Sequence, residues 1–380
     1  MLRAPRRGIE TQVGDLAAHQ VAAGHEVHVL TATAADPRDG GDARSRHASV
    51  TTTADGVRVH RLASRLVGGL PVHPRGSALI ARRLRALAPD VVHVQAGVLS
   101  PFAFQGARAA RAANLPLAIT WHCMLDGVER PLRAGARVLG WDGESAALSA
   151  VSDVAARRVA SAFPVEGGPA DVGVLPNGLD VAAWAPTGPP RGADGVLRLV
   201  ATQRVAPRKR TRTLVQTLAG ARAVLGAGRV ELTIAGDGPD AAAVRREAER
   251  LGVADAVHLL GRVPRAQLPA LYARHDVFVS PARLEAFGIA ALEARASGLP
   301  VVALDGTGIT SFVTDEVDGL LAVDDAALIS AVVRLAQDAA LRGAIADHNR
   351  TVPPAADWSD VLAAAEREYA RARRLVRFVP

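Results

Sequence analysis

The sequence predicts an α/β protein built from two tandem Rossmann-like, doubly wound domains, and three observations carry that prediction. Short apolar, β-branched runs alternate with amphipathic runs along nearly the whole chain, the βαβ pattern of a parallel sheet covered on both faces. The alternation stops at a stretch dense in Pro and Gly, "WAPTGPPRGADG" at 184–195, and then restarts. The chain has 380 residues, more than one typical core holds and enough for two.

In the first half, the runs "HEVHVLTAT" (25–33), "GVRVHRLA" (56–63), "DVVHVQ" (90–95), "LPLAIT" (115–120), "AALSAVS" (146–152) and "VGVLPN" (172–177) read as buried strands. Between them, "TQVGDLAAHQVAAG", "SALIARRLRALA", "SPFAFQGARAARAAN" and "DVAARRVASAF" carry helical periodicity. After the linker the order is strand "LRLVAT", a helix from about 211, strand "VELTIAG", helix "AAAVRREAERLG", strand "AVHLLG" and helix "RAQLPALYARH". It continues with strand "DVFVSP", helix "GIAALEARASG", strand "PVVAL" and a helical zone from about 325 to 348. The expected domains are 1–182, a linker at 183–195, and 196–355. Residues 356–380 hold a further helix, "DWSDVLAAAEREYARARRL", expected to fold back across the linker toward the first domain.

Composition excludes several classes. Apolar residues make up 49% and aromatics 3%, enough to bury sizeable cores and inconsistent with disorder. No run approaches the roughly 18 uninterrupted apolar residues of a membrane span, and "MLRAPRRGIETQ" lacks the apolar segment of a signal peptide. The single cysteine, Cys123, allows no internal disulfide and fits a reducing cytoplasm. The net charge of +7 raises the prospect of an anionic partner. Its Arg residues are scattered, however, and aromatics are few, which argues against a nucleic-acid-binding surface. A dinucleotide oxidoreductase wants G-x-G-x-x-G after its first strand, and that pattern is not found.

Ligands of open α/β sheets bind at the carboxyl ends of the strands, and three such junctions in the second half invite chemistry. In "RVAPRKRTRTLV" (204–215), Arg204 and the chain's one lysine, Lys209, project from a strand-to-helix loop, where a fork and a point charge suit a diphosphate. A basic loop at a helix start accounts for the stretch equally well. In "VELTIAGDGPD" (230–240), Gly236 and Gly238 either serve a plain turn or let backbone approach a ligand. In "SPARLEAFGIAALEARASGLPVVA" (280–303), Glu285 precedes a helix opened by Gly288, and Glu293 lies within that helix. Exposed N–H groups at such a helix start suit a phosphate, and a carboxylate inside the apolar "AFGIAAL" needs a partner.

"EAFGIAALE" followed by "ASGLPVVA" resembles the E-x7-E signature of the retaining nucleotide-sugar glycosyltransferases of family 4, which have the two-domain GT-B architecture. "GIETQVGDLAAHQVAAGHEVHVLT", "VSDVAARRV", "VLPNGLD", "RVAPRK", "LLGRVPRAQLPALYARHDVFVSPA" and Trp358 in "DWSDVLAAAEREY" resemble further pieces of that family in its own order. The resemblance implies that Arg204 and Lys209 bind the donor diphosphate, helped by backbone around Phe287, Gly288 and Ile289. Glu293 would hold the ribose hydroxyls, Glu285 would position the donor sugar, and Gly261, Arg262 and Val263 would border the base. Gly8 would let an N-terminal loop approach the phosphate, and His122 in "TWHCM" matches a family histidine near the donor sugar, or else is a satisfied histidine at a strand end.

The implied reaction moves a hexose from a nucleotide diphosphate sugar to an acceptor hydroxyl with retention, the two cations stabilising the departing diphosphate. No Asp-x-Asp pair occurs, so neither metal nor cofactor is expected. The expected partners are the donor and a small-molecule, glycan or lipid-linked acceptor, with no nucleic acid. The basic "ARARRLVRF" end adds a peripheral contact with an anionic membrane, or is simply a solvated helix end. A nucleotide-sugar epimerase or hydrolase of the same fold, or an inactive nucleotide-sugar-binding protein, stays open as an alternative. Two departures stand against the family pattern: "MLRAPRR" ahead of Gly8 is too short and basic for the usual first strand, and Arg7 and Gln12 replace the family's Gly and His.

Overall fold

Every run read as a strand forms one in the computed structural model, which describes residues 8–32, 49–62, 76–98, 100–129, 132–133, 143–165, 168–186, 188 and 194–376. Two units result, Met1–Gly178 with Trp358–Pro380, and Leu179–Asp357.

The N-terminal unit runs α1 (Gly8–Ala22), β1 (His28–Thr31), β2 (Ser49–Thr52), β3 (Arg58–Arg61), α2 (Gly76–Leu87), β4 (Val92–Ala96), α3 (Pro101–Ala112), β5 (Leu117–Trp121), β6 (Ala147–Ala150), α4 (Asp153–Ala162) and β7 (Val172–Val174). Its strands fall into two sheets. In the first, β3 pairs parallel with β1 and antiparallel with β2; the second is the parallel β4-β5-β6-β7. Among the described residues no strand joins β1 to β4, so the strands described for this unit fall into two groups. The stretch "MLRAPRR", read as too short and basic for the family's first strand, lies outside the described residues. The sequence reading also overlooked β2, because "SVTT" is short and polar.

The four-stranded sheet is buried along β5 and β6. The late helix read in the sequence is long and packs here. Its side chains Trp358, Val361, Ala364, Ala365, Tyr369 and Ala372 form a core with Leu16, Ala118, Ala147 and Leu175. Their helical spacing puts them on one stripe, and burying each large side chain stabilises by roughly 1.5–3 kcal/mol.

The C-terminal unit opens with α5 (Val181–Trp184) and continues β8 (Leu197–Thr202), α6 (Thr211–Leu225), β9 (Val230–Ala235), α7 (Ala241–Arg250), β10 (Val257–Gly261), α8 (Leu268–Tyr272), β11 (Val277–Ser280), α9 (Ile289–Ala296), β12 (Val301–Leu304), β13 (Gly319–Ala322), α10 (Asp325–Gln337) and α11 (Ala339–Thr351). The final helix, α12 (Trp358–Val376), belongs to the other unit. All six strands are parallel, in the order β10-β9-β8-β11-β12-β13. Successive strands thus step outward on one side of β8, and the chain then crosses to β11 and steps outward on the other. That reversal makes the carboxyl ends of β8 and β11 the topological switch point, where such sheets bind ligands.

β13 escaped the sequence reading because "GLLA" follows an Asp-rich stretch with no alternation. Its first residue must be glycine, since a Cβ on Gly319 would stand 1.9 Å from the Val301 carbonyl oxygen. One continuous core of Val, Leu, Ile and Ala from the strands, α6, α7 and α10 holds this unit together.

Candidate active site

The loop leaving β8 turns through a short 3-10 helix at Pro207–Lys209, and Arg210, at φ 52°, redirects it into α6. A left-handed conformation at a non-glycine residue costs of order 1 kcal/mol or more and persists only where surroundings fix it. Here they do: the Arg210 guanidinium makes paired bonds of 2.9 and 2.6 Å to Asp325 and donates at 3.0 Å to the Pro281 carbonyl. It ties the β8 loop, the β11 loop and the start of α10 together. The bond from Arg210 is the main reason the Asp325 carboxyl sits below its usual pKa. Arg212 lies 3.6 Å from Asp240, so two of the neighbouring arginines act within the scaffold.

Lys209, thus positioned, donates from Nζ to Glu285 Oε2 on the β11 loop. The sequence reading gave these two residues separate tasks, and the structure brings them into an ion pair. The ammonium is 34% exposed and the carboxylate 17%, so both face a partly open site. Arg204 is exposed on the same loop. The Glu285 backbone is fixed as well, its carbonyl accepting from Gly308 N–H at 2.7 Å. A Cβ on Gly308 would come within 2.0 Å of the Ala286 carbonyl oxygen, and one on Gly288 within 2.5 Å of Ile309. Phe287 is buried against Phe312 at 5.2 Å.

Gly288, at φ 96°, caps α9 and Ile289 begins it, leaving the first-turn amides that a helix cannot itself satisfy. Glu293 on α9 is only 5% exposed. The partner its burial demands is Arg265, whose Nε donates to Glu293 Oε1 at 3.0 Å. Arg265 stands in the 3-10 turn that follows Gly261, Arg262 and Val263. Its guanidinium lies 5.5 Å over the Trp184 ring. Tyr272, fully buried beside them, donates or accepts at 2.6 Å with Thr202. Burial first, and the Glu293 carboxylate second, push its phenol well above the usual value. Neither Arg265 nor Trp184 was singled out from the sequence, because nothing in the spacing announces that Arg265 meets Glu293, 28 residues on, or Trp184, further away still.

Gly236 and Gly238 have a different use from the ligand approach entertained for them. Cβ atoms there would lie 1.8 Å from the Gln203 carbonyl oxygen and 2.1 Å from that of Val205. The close approach is between the β9 and β8 loops, so these glycines let the Arg204–Lys209 loop sit down on its neighbour.

In the N-terminal unit, Gly8 is the first residue of α1 and not part of a loop, while Arg7 lies outside the described residues. Gln12 is buried and exchanges two 3.0 Å bonds with the Gly178 backbone, fastening α1 to the segment after β7. Gly178 has no room for a Cβ, which would lie 2.6 Å from the Trp358 ring. His122, at the end of β5, bonds through Nε2 to Gln95 Oε1 at 2.5 Å. Burial lowers its pKa from 6.5 to about 4, so the ring is neutral at neutral pH. Beyond Gln95 lies His93, which bonds Thr120 at 2.7 Å and Tyr369 at 3.0 Å.

Among the described residues no cluster of three His, Cys, Asp or Glu is placed to hold a metal ion. No described helix is long and apolar enough to cross a membrane. The basic tail reaches Val376 as part of α12, and its last residues, 377–380, lie outside the described residues.

Two family models match the chain, one described as glycosyltransferase family 4 over residues 6–183 and one as glycosyl transferases group 1 over residues 197–338. A GDP-mannose-dependent alpha-(1-6)-phosphatidylinositol monomannoside mannosyltransferase of Mycobacterium tuberculosis is 34% identical over 337 residues, covering 83% of this chain and 82% of that one. A GDP-mannose-dependent alpha-mannosyltransferase of the same organism is 30% identical, covering 83% and 79%. Among solved structures, Anabaena HepE with UDP and glucose superimposes with a TM-score of 0.73 at 20% identity, covering 97% and 98% of the two chains. At that identity the likeness concerns the fold.

Proposed function

We propose, on the premise that this chain belongs to the group 1, family 4 glycosyltransferases, that it transfers mannose from GDP-mannose to a hydroxyl of a lipid-linked acceptor. The general activity is that of its family: a retaining transfer of a hexose from a nucleotide diphosphate sugar. Mannose, guanosine and the lipid are the proposed refinements, and both mycobacterial relatives support the first two by name.

The observation that carries the reading is the Lys209–Glu285 pair at the carboxyl ends of β8 and β11. In the reaction the bond between the anomeric carbon and the diphosphate oxygen breaks and its electron pair leaves with the diphosphate. The acceptor oxygen bonds to that carbon from the same face, and its proton passes to the departing phosphate. Lys209 and Arg204 would neutralise the charge that grows on the leaving group, where preorganised electrostatics contribute most. First-turn amides from Gly288 and Ile289 would assist. Glu285 would orient the sugar and Glu293 the ribose, with Gly261, Arg262 and Val263 bordering the base. His122, uncharged at neutral pH, offers a hydrogen bond and does not act as a cationic acid.

The test is product formation. The purified chain is incubated with GDP-mannose, UDP-glucose or UDP-N-acetylglucosamine, each with phosphatidylinositol mannoside in detergent, and the lipid is analysed by mass spectrometry. A hexose added from GDP-mannose alone is expected. Transfer from a uridine donor only would overturn the donor assignment, and free sugar with no glycolipid would point to hydrolysis.

A further inference from the structure

Glu293 is a carboxylate almost closed off from water, and such a group stays ionised only when its burial is compensated. Arg265 provides the compensation in one particular way. It bonds through Nε, the inner nitrogen of the guanidinium, to a single oxygen, Oε1, at 3.0 Å. An Nε contact fixes the plane of the guanidinium, because that nitrogen is rigidly part of the fork. The opposite constraint comes from Trp184, whose ring lies beneath the same guanidinium at 5.5 Å. Stacking of this kind is worth about 0.5–2 kcal/mol, more as the pair is desolvated. Trp184 is itself buried and packs on Tyr272 at 6.1 Å. Tyr272 is held by Thr202 at the end of β8 and stands edge-on to Phe278 of β11 at 6.2 Å. A continuous series of contacts therefore runs from the two switch-point strands through Tyr272 and Trp184 to Arg265, and ends on Glu293.

We infer that Arg265 is a positioning residue for nucleotide recognition: clamped on Trp184, it fixes the Glu293 carboxylate in the orientation that selects a ribose carrying both hydroxyls. The inference rests on the reading of Glu293 as the ribose ligand and adds the residue through which that selectivity is set. Arg265 acts through Glu293, so its loss lowers discrimination at the ribose more than it lowers affinity for the diphosphate. Trp184 opens the Pro- and Gly-rich stretch read from the sequence at 184–195, so the clamp also links the entry of this unit to Glu293.

The experiment is calorimetric titration of the full chain with GDP and with 2′,3′-dideoxy-GDP, repeated with UDP and its dideoxy form, the tighter-binding base being used for the variants. Wild type is expected to favour the ribonucleotide by roughly tenfold or more, the equivalent of one or two charge-assisted hydrogen bonds. In R265M, which keeps an apolar stem on Trp184, the preference should fall to within about threefold, with R265K in between because an ammonium cannot reproduce the planar fork. Binding of inorganic pyrophosphate, which has no ribose, should be unchanged in both. If E293Q keeps the wild-type preference, the ribose reading of Glu293 fails. If E293Q loses it while R265M and R265K both keep it, the role given to Arg265 is overturned. Should R265M lower the apparent melting temperature so far that it does not bind, R265K alone decides by the same comparison.

Discussion

Replacing Lys209 with methionine removes the ammonium while keeping most of the stem, and the consequence can be worked from its surroundings. Nζ neutralises Glu285; with donor bound, it would also face the leaving diphosphate. Two unit charges at 4 Å interact by about 4 kcal/mol at an effective dielectric near 20. Lys209 is about a third exposed, so solvent screens part of this, and a charge-assisted hydrogen bond of about 1.5–3 kcal/mol is the better measure. That corresponds to a loss of roughly 10- to 150-fold in kcat/KM. A purely structural role predicts something different. If Lys209 serves only to neutralise Glu285, K209M should cost nothing once Glu285 is already uncharged in E285Q. Initial rates for wild type, K209M, E285Q and the double variant, with melting temperatures for each, separate the two. A further loss of at least about tenfold on adding K209M to E285Q is expected, since the leaving group still lacks its cation. A double variant whose rate stays within about threefold of E285Q, with melting unchanged, would refute the reasoning, whatever K209M does alone.

Two partly buried histidines of the N-terminal unit make its stability depend on pH. His122 has its pKa lowered to about 4 by burial, and His93 to about 3 by burial and by the nearby His122. Both are neutral in the folded chain but protonate near pH 6.5 once unfolded, so the unfolded state binds more protons below that value. Stability is therefore expected to fall as pH drops from about 6.5 through 4, by a few kcal/mol in all, read as a declining melting temperature; a flat profile across that window would contradict the burial described for them. Gly308→Ala should destabilise by roughly 3 kcal/mol or more, because its Cβ meets backbone at 2.0 Å rather than a movable side chain. Since that backbone belongs to the Glu285 loop, activity is expected to fall before the protein unfolds, and a variant with wild-type melting and wild-type kcat/KM would show the loop to be looser than drawn.

The C-terminal half was the more legible because a parallel sheet buried on both faces writes itself as continuous apolar runs; "LRLVAT" became β8 residue for residue. Arg204, Lys209, Glu285 and Glu293 were picked out because strand-to-helix junctions are where such folds bind ligands, and because a carboxylate amid "AFGIAAL" needs a partner, which the structure supplies as Arg265. Gly236 and Gly238 were left between a plain turn and a ligand approach for a physical reason. A glycine reports that something comes close, and only coordinates say whether it is a ligand or, as here, the carbonyls of Gln203 and Val205. Gln12, marked as a departure from the family pattern, proved to be a fastening between α1 and Gly178.

By itself the sequence determined the succession of most strands and helices and the residue types available at each strand end, since periodicity and turn chemistry are local properties; the division between the units, drawn from the Pro- and Gly-rich stretch at 184–195, falls instead at Gly178/Leu179. The tertiary structure decided the pairings: Lys209 with Glu285, Arg265 with Glu293 and Trp184, Arg210 with Asp325, and the grouping of the described N-terminal strands into two sheets. Those contacts join residues far apart along the chain, and which cation meets which carboxylate depends on how loops from different strands are stacked. No spacing in the sequence encodes that stacking; it follows from the strand order of the sheet and from the glycines that let its loops touch.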